Sequence, residues 1–267
     1  MTPLLDTALA AARAAGDVLL ERLPHERAVT FKGARDIVTD ADFAAQQVVT
    51  ALIAARFPDH ALLAEEGLHA AALRGPRPLW IVDPLDGTTN YARRYPGFAV
   101  ALALAEAGQV LVGVTHDPQR QETFYAERGQ GAFVQHAGQP PQPLHVSPTT
   151  ALDQALVGLD WSRDPATRAQ VLAALGPVAA ACRTVRALGS TALSLAYVAA
   201  GRLDAYYQLS AQPWDVAAGA LLVTEAGGQF TTLAGELWLL GTGRLAATNG
   251  RLHAAFIETL ALPNVTP

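Results

Sequence analysis

The N-terminal part of the chain carries two apolar patterns that are typical of helices. Thr2-Pro3 is a favourable helix start, because a hydroxyl caps the first turn and proline suits the first helical position. This helix is predicted to run to about Leu23, just before a proline. A second helix is predicted to begin at Thr39 or Asp40 and to end before Pro58. Its buried face has apolar residues at helical spacing, Ala44, Val48, Ala51, Leu52 and Ala55.

The middle of the chain changes to short apolar runs separated by turn residues, which is typical of strands. Turns are indicated at residues 107–109 and 129–132, and the Pro- and Gly-rich segment 137–148 is the best internal boundary. The predicted strands are Ala61–Ala64, Leu79–Val82, Phe98–Ala105, Val110–Thr115 and Thr123–Ala126.

Strands and helices alternate after that boundary. This order predicts a mixed α/β (α+β) fold. The 267 residues suit a single domain over 1–267, with an N-terminal α+β half over about 1–145 and a C-terminal α/β half over about 146–267. The predicted elements are a strand over Leu156–Leu159, a helix over Asp164–Leu175, a helical stripe over Ala192–Ala199, a strand over Tyr206–Leu209 and a helix over Asp215–Glu225.

Composition and charge argue against several classes of protein. Apolar residues make up 51% of the chain and charged residues 16%, and the net charge of -5 lacks the basic excess of a nucleic-acid-binding domain. The apolar stretch Ala99–Ala105 is far shorter than the roughly 20 residues of a membrane span. Cys182 is the one cysteine, so no intrachain disulfide forms and a reducing compartment is expected. With no export signal at the N-terminus, we expect a cytoplasmic protein without a nucleic-acid or membrane partner.

The densest chemical signal is an acidic string that follows an apolar strand. Residues 83–90 read Asp-Pro-Leu-Asp-Gly-Thr-Thr-Asn, and two aspartates three apart at a bent strand end can point at one spot. Gly87 lets the backbone approach a ligand, and the amide groups of residues 87–89 would face an anion such as phosphate. An ordinary turn would explain Asp83, Asp86 and Gly87 alone, but the eight-residue string is far more specific.

Two further acidic sites have a matching context. Glu65 and Glu66 follow the apolar run of residues 61–64, again at a predicted strand end. Asp215 begins an apolar helical stretch, where a plain helix cap is the simpler explanation of that residue taken alone. Clustered carboxylates repel one another unless a hard cation neutralises them, and oxygen ligands of this kind suit Mg²⁺. The sequence therefore predicts a magnesium site.

Taken together, these segments resemble the inositol monophosphatase family. The family's two signatures are present as residues 83–91 and as residues 214–219, Trp-Asp-Val-Ala-Ala-Gly. The resemblance covers about residues 30–230, and it implies a layered αβαβα sandwich, a phosphatase that depends on Mg²⁺ and is sensitive to Li⁺, and usually a homodimer. The other matching segments are Asp36–Asp42, Glu65-Glu66, Gly189–Ala192 and Thr224–Gly228.

The resemblance also carries metal ligands onto matching positions. It implies a first Mg²⁺ bound by Glu65, Asp83 and the carbonyl of Leu85. It implies a second Mg²⁺ bound by Asp83, Asp86 and Asp215, with a third, weaker ion near Glu65. In such an arrangement one ion lowers the pKa of water and the other stabilises charge on the leaving alkoxide.

The catalytic group that the resemblance implies is Thr88, Asp42 and Glu65. Thr88 would orient the attacking water and Asp42 would fix the direction of its hydroxyl, since a threonine is no strong base. Lys32 falls in what is usually a mobile loop near the metals. The implied substrate contacts are Asp86, Gly87, Thr88, Gly189, Ser190 and Gln208.

Two positions depart from the family's pattern. Ala64 stands where glycine usually precedes the glutamate pair, and a small effect is expected. Gln208 stands where a glutamate usually binds substrate hydroxyls, so the alcohol pocket is not standard. The expected partner is a small phosphorylated polyol or sugar, and inositol phosphate, fructose 1,6-bisphosphate, histidinol phosphate and adenosine 3′,5′-bisphosphate all stay open. A regulatory binding role is the other alternative, because some bacterial relatives also assist the transcription machinery.

Overall fold

The computed structural model describes residues 2–26, 28–67, 73 and 75–260. The helices in these ranges are α1 (Pro3–Arg22), α2 (Asp40–Arg56), α3 (Thr88–Ala92), α4 (Pro165–Ala181), α5 (Thr191–Ala199), α6 (Pro213–Glu225) and α7 (His253–Leu260). The strands are β1 (Val29–Gly33), β2 (Asp36–Thr39), β3 (Ala61–Ala64), β4 (Leu79–Asp86), β5 (Ala99–Glu106), β6 (Gln109–Asp117), β7 (Glu122–Glu127), β8 (Ala132–His136), β9 (Gln142–Pro143), β10 (Leu156–Leu159), β11 (Thr184–Arg186), β12 (Ala205–Gln208), β13 (Gln229–Thr231) and β14 (Leu245–Thr248). Within the described ranges, every helix is too short or too polar to cross a membrane.

The strands form two large sheets and one small hairpin. The first sheet has the order β3-β4-β5-β6-β7-β8-β9, in which only β3 and β4 run parallel. The second sheet has the order β11-β10-β12-β14-β13, with β10 parallel to both of its neighbours and the remaining pairs antiparallel. β1 and β2 form a separate antiparallel hairpin. The predicted boundary at 137–148 contains β9, the last strand of the first sheet.

Helices and sheets stack in five layers. α1 and α2 pack on one face of the first sheet, where Leu9 and Val49 lie in one apolar cluster with Trp80. α5 and α6 lie between the two sheets, and a single core cluster there joins Phe124 of the first sheet to Tyr206 of the second. α4 and α7 cover the outer face of the second sheet. The predicted mixed α/β class and αβαβα sandwich are therefore confirmed.

Local chemistry explains where helices begin and how closely they approach. The Thr2 hydroxyl accepts the Leu5 amide (3.3 Å), a cap worth about 1 kcal/mol. α2 begins at the predicted position, with Thr39 as its N-cap. Its predicted buried face is wrong, because the apolar residues that the helix buries are Ala41, Ala45, Val49 and Ile53, and the predicted residues 44, 48, 51, 52 and 55 are only partly buried or exposed. Gly219 lets α6 approach α5, because an added Cβ would lie 2.5 Å from Leu195 Cβ.

Several predicted boundaries are wrong in detail. α4 runs to Ala181 instead of Leu175. The burial of Val178 against the second sheet outweighs the loss of one helical hydrogen bond at Pro177, which has no backbone N–H to donate. β4 continues past the predicted end of its strand to Asp86, and the predicted strand at 206–209 is shifted by one residue. The predicted turn at 129–132 ends at residue 131, because β8 begins at Ala132. The hairpin β1–β2, β8, β13, β14 and α7 were not predicted.

Candidate active site

The end of β4 supplies two of the predicted acidic residues. Residues three apart in a regular strand point to opposite faces of its sheet. The register of β4 against β5 shifts between Asp83, which pairs with Ala101, and Asp86, which pairs with Ala99. The Leu85 amide donates to Asp83 Oδ1 (3.0 Å) within this irregular segment. Both aspartates consequently line one cleft.

A glycine is required directly after β4. Gly87 has a φ of 96°, in the left-handed region, and an added Cβ would lie 2.9 Å from the carbonyl oxygen of Gly97. Asn90 fixes the same turn, because its side-chain nitrogen donates to the carbonyls of Gly97 (2.6 Å) and Leu188 (2.8 Å). Gly87 and Thr88 therefore line the cleft beside the aspartates.

Glu65 reaches the cleft from the end of β3. Its amide donates to the Val82 carbonyl (3.2 Å) and extends the contact of β3 with β4 by one residue. Lys32 of the β1–β2 hairpin contacts both glutamates, with Nζ 3.0 Å from Glu65 Oε1 and 2.7 Å from Glu66 Oε1. Lys32, which was predicted to lie near the metal ligands, thus brings a positive charge to the acidic cluster.

Two helix N-termini complete the acidic cluster. Asp86 Oδ2 accepts hydrogen bonds from Ser190 Oγ (2.5 Å) and from the Ala192 amide (2.7 Å) at the start of α5. Asp215 is the third residue of α6, which begins two residues earlier than predicted, and its Oδ2 accepts from the Gln212 amide (2.7 Å). Asp215 therefore caps its helix and also lines the cleft.

Burial raises the pKa of each aspartate in the cluster. The pKa of Asp86 is raised to about 6, chiefly by burial and against the hydrogen bond from Ser190. Burial, and then the charges of Glu65, Asp86 and Asp215, hold the pKa of Asp83 well above its usual range. Burial and the charge of Asp86 do the same to the pKa of Asp215. The carboxylates are close enough to repel one another, so a cation would stabilise their charged forms.

The carboxylates suit a hard cation in their chemistry, although they are not arranged around one. Among the residues that the structure describes, no three His, Cys, Asp or Glu side chains form a group that could hold a metal ion as they stand. Donors from Lys32, Ser190 and the Gln212 amide already occupy several of the carboxylate oxygens. The oxygen ligands and their mutual repulsion fit Mg²⁺, and the donors from Ser190 and from the Gln212 amide each contact a single oxygen, Oδ2, of Asp86 and of Asp215.

The cleft has a volume of about 550 Å³ and brings most of the predicted residues together. Asp42 lies beneath it, fully buried and in contact with Thr88. Ser190 is 1% exposed and donates to Asp86, so it supports an acidic residue and does not face the cleft as a substrate contact would. The predicted residues that line the cleft are Glu65, Asp83, Leu85, Asp86, Gly87, Thr88, Gly189, Gln208 and Asp215.

A larger groove of about 690 Å³ lies between α1 and α2 and contains none of the predicted catalytic residues or ligands. Arg22 and Asp40 line it and form a salt bridge there (2.8 Å) between two half-exposed side chains. A solvent-exposed salt bridge of this kind does not indicate a catalytic site. The acidic cluster, and not the size of the opening, therefore marks the candidate active site.

Sequence reasoning missed Asp160, a buried carboxylate that also lines the cleft. It accepts hydrogen bonds from the Gly189 amide (2.9 Å) and from the Tyr206 hydroxyl (2.9 Å). Burial, and then the charge of Asp86, raise the pKa of Asp160 to about 7. Its position gives the signal that could have found it, since it follows β10 directly, as Glu65 follows β3.

The fold and the cleft define a layered α/β protein with a buried carboxylate cluster that suits a divalent cation. The model of the inositol monophosphatase family matches residues 1–262, and the chain belongs to this family. The resemblance inferred from the sequence motifs is therefore confirmed.

Proteins similar to this chain carry two kinds of name. Nus factor SuhB from Pseudomonas aeruginosa is 38% identical over 277 residues, which cover 100% of this chain and 98% of that protein. Inositol monophosphatase 2 from Solanum lycopersicum is 36% identical, with 97% of this chain and 98% of that protein covered. The structure of inositol monophosphatase from Anabaena (Nostoc) sp. PCC 7120 superposes with a TM-score of 0.86 at 37% identity, covering 98% of this chain and 97% of that chain.

Proposed function

We propose that the protein is a Mg²⁺-dependent phosphomonoesterase that hydrolyses a small phosphorylated polyol or sugar. The observation that carries the proposal is the convergence of Glu65, Asp83, Asp86 and Asp215 on one cleft. Burial and mutual repulsion of these carboxylates favour a bound cation over a metal-free state. Membership of the inositol monophosphatase family supports the same chemistry.

The residues of this chain would hold two ions. Glu65, Asp83 and the Leu85 carbonyl are the proposed ligands of one, and Asp83, Asp86 and Asp215 those of the other, with a weaker third site near Glu65. When bound, Mg²⁺ would acidify the attacking water and stabilise the leaving alkoxide. The aspartates would in turn stay charged at neutral pH, since a nearby cation opposes the rise in pKa that burial causes.

Thr88 and Asp42 are proposed to orient the water that attacks phosphorus. The Asp42 carboxylate accepts a hydrogen bond from the Thr88 hydroxyl, which leaves the lone pairs of the Thr88 oxygen for a hydrogen bond from water. Thr88 would contribute to catalysis by positioning the water, because a threonine hydroxyl is too poor a base to remove a proton from it. Glu65, also expected to be catalytic, would act through the ion that it binds.

The relatives support a first candidate substrate. A protein 36% identical to this chain is named inositol monophosphatase 2, which supports inositol monophosphate as the first candidate. Fructose 1,6-bisphosphate, histidinol phosphate and adenosine 3′,5′-bisphosphate are the alternatives. A cleft of about 550 Å³ has the size of an ordinary small-molecule site, so volume does not choose among them.

A transcription-associated binding role is a second candidate, because a protein 38% identical to this chain is named a Nus factor. The test is a pull-down of RNA polymerase subunits with tagged wild type and with Asp86→Asn. Equal recovery with both proteins would support a binding role that is independent of the acidic cluster. No recovery with either protein would count against it.

A phosphatase screen tests the enzymatic proposal. Purified protein is assayed for phosphate release from the four candidate substrates, with Mg²⁺ and with EDTA. We expect hydrolysis of at least one substrate in Mg²⁺ and none in EDTA, and we expect Li⁺ to inhibit it. Absence of Mg²⁺-dependent phosphate release from the whole panel would contradict the proposal.

A further inference from the structure

The two glutamates that follow β3 lie at the edge of the first sheet. β3 is the first strand in the order of that sheet, so its outer side pairs with no strand of the described residues. The Glu65 amide donates inward to the Val82 carbonyl (3.2 Å), and the backbone groups of the next residue, Glu66, are directed to the outer side. Glu66 is 8% exposed, and buried backbone groups without a partner are costly. They therefore need a partner that is not a strand.

Gln46 of α2 is that partner. Its side-chain Nε2 donates to the Glu66 carbonyl (2.6 Å), and its Oε1 accepts the Glu66 amide (3.1 Å). One carboxamide thus supplies the donor and the acceptor that the backbone of a neighbouring strand would supply. Gln46 is 9% exposed, so water competes little for either contact. Gln46 therefore fixes the backbone of Glu66, which is joined directly to the proposed metal ligand Glu65.

The same face of α2 also contacts Thr88. Asp42 lies four residues before Gln46, and residues four apart in a helix are neighbours on one face. Asp42 accepts a hydrogen bond from the Thr88 hydroxyl (3.2 Å), whereas Gln46 holds the segment that follows β3. One helix therefore sets the position of a proposed metal ligand relative to the residue that is proposed to orient water.

Lys32 also contacts the two glutamates, but through their carboxylates. A cation bound at these carboxylates would repel the ammonium group of Lys32, because like charges raise each other's energy at close range. The hydrogen bonds of Gln46 involve only the backbone of Glu66, so they do not compete with a cation. Gln46 is therefore the residue suited to hold this segment both with and without a bound ion.

We propose that Gln46 is a positioning residue for the metal site, which acts through the backbone of Glu66 on the carboxylate of Glu65. The proposal rests on the proposed function and adds a residue that is not among those lining the cleft. Groups that orient a metal ligand typically contribute roughly ten- to hundredfold to metal affinity. Loss of the Gln46 carboxamide is therefore expected to weaken Mg²⁺ binding although every ligand stays in place.

The test uses two adjacent glutamines of α2. Gln46→Met keeps the length of the side chain and removes both hydrogen bonds. Gln47→Met is the matched control, since Gln47 is exposed and lines the groove between α1 and α2. Calorimetric titration with Mg²⁺ is expected to give a Kd at least about tenfold higher for Gln46→Met than for wild type and an unchanged Kd for Gln47→Met. At saturating Mg²⁺, kcat and the substrate KM of Gln46→Met are expected to stay within about threefold of wild type, because no ligand is lost.

Amide hydrogen exchange in EDTA tests the contact itself, without metal or substrate. The Glu66 amide is expected to be protected in wild type and in Gln47→Met, and to exchange at least about tenfold faster in Gln46→Met. The amide of Val49, in the middle of α2, is expected to exchange equally slowly in all three proteins. Thermal unfolding checks that each variant is folded. Gln46→Ala replaces Gln46→Met if the latter does not fold, because the smaller side chain lets water reach both backbone groups.

A Kd for Mg²⁺ that is equal in Gln46→Met and wild type would overturn the proposal, as would unprotected exchange of the Glu66 amide in wild type. Equal acceleration of exchange at Glu66 and Val49 would show a general loss of stability and would also overturn it. If wild type binds Mg²⁺ but hydrolyses no substrate of the panel, the proposed function fails, while the Mg²⁺ titration still decides the role of Gln46. If wild type binds no Mg²⁺, the metal site and the positioning of its ligand are both overturned.

Discussion

The hydroxyl oxygen of Thr88 lies 3.2 Å from Asp42 Oδ1, and the carbonyl of Leu85 lies 3.1 Å away as a second acceptor. The other oxygen of Asp42 accepts both the amide (2.8 Å) and the hydroxyl (2.6 Å) of Thr39. The residues that start α2 therefore also fix the acceptor of the Thr88 proton. A hydroxyl donates one proton, and the ionised Asp42 is the stronger of the two acceptors.

Thr88→Ala is expected to lower kcat by about a hundredfold, because the attacking water loses its orienting partner. Calorimetry should show nearly unchanged affinity for Mg²⁺, since Thr88 brings no charged ligand. Thr88→Ser keeps the hydroxyl and should retain most of the activity. If Mg²⁺ binding collapses together with kcat in Thr88→Ala, the residue has a structural role instead.

Asp160 is expected to position the loop that leads into α5. Asp160→Ala leaves the Gly189 amide and the Tyr206 hydroxyl without their acceptor and should lower the free energy of unfolding by about 2–4 kcal/mol. Asp160→Asn keeps an acceptor oxygen and should lose less than half as much. Because Gly189 leads to Ser190, which donates to Asp86, Asp160→Ala should also raise the Mg²⁺ concentration needed for half-maximal activity. Equal stability of the two variants in urea would contradict this assignment.

The buried carboxyl groups predict that the metal-free protein loses stability as pH rises. Burial raises the pKa of Asp42 and of Asp86 to about 6 and that of Asp160 to about 7. The pKa of these groups in the unfolded chain is about 3.9, so the folded chain binds more protons than the unfolded chain above that pH. The resulting contribution to the free energy of unfolding is complete below about pH 3.9 and is lost as pH rises through 6 to 7. In EDTA, the midpoint of thermal unfolding should fall by about 3 °C or more between pH 6 and 8, which is roughly 1 kcal/mol for a chain of this size.

Mg²⁺ should raise that midpoint most at pH 8, because it binds the charged carboxylates of the folded state. Burial lowers the pKa of His116 to about 4, so this histidine lowers the free energy of unfolding as pH falls below its unfolded pKa of about 6.5. The comparison is therefore made between pH 6 and 8. A midpoint in EDTA that does not change with pH, together with no effect of Mg²⁺ at pH 8, would argue against a cation site.

Features with a local signature could be predicted from the sequence. The helices that start near Thr2 and Thr39 show a cap followed by apolar residues at helical spacing, and both were found. The turn at Gly87 after two aspartates predicts the acidic strand end from adjacent residues alone. Short, polar or exposed strands such as Val29–Gly33 carry no such pattern, because every residue of that strand faces solvent.

Features made by distant residues could not be predicted. The hydroxyl of Ser190 donates to Asp86, a residue 104 positions away, and no pattern around Ser190 predicts this contact. Asp160 gains its role from Tyr206, and Arg35 lies near Arg163 only after two loops fold together. Such contacts depend on how the two sheets and the loops stack, which no local spacing encodes.

Gln208→Glu is expected to improve substrates that carry hydroxyl donors or an ammonium group. A charged acceptor is worth about 1–2 kcal/mol more than a neutral one, or roughly five- to thirtyfold in affinity. kcat/KM of wild type and variant is compared on inositol 1-phosphate and histidinol phosphate. The larger gain is expected on histidinol phosphate, whose ammonium acquires a counter-ion. A variant that gains on neither substrate would show that Gln208 does not determine specificity.

Metal dependence of phosphate release tests the central claim most directly. Wild type, Asp86→Asn and the exposed-site control Asp153→Asn are assayed on the best substrate of the panel, first in EDTA and then with Mg²⁺ restored. We expect no activity in EDTA, full recovery with Mg²⁺ in wild type and in Asp153→Asn, and a kcat at least about a hundredfold lower in Asp86→Asn, which loses a charged ligand. Full activity of wild type in EDTA, or of Asp86→Asn in Mg²⁺, would contradict the assignment of this carboxylate cluster as the catalytic metal site.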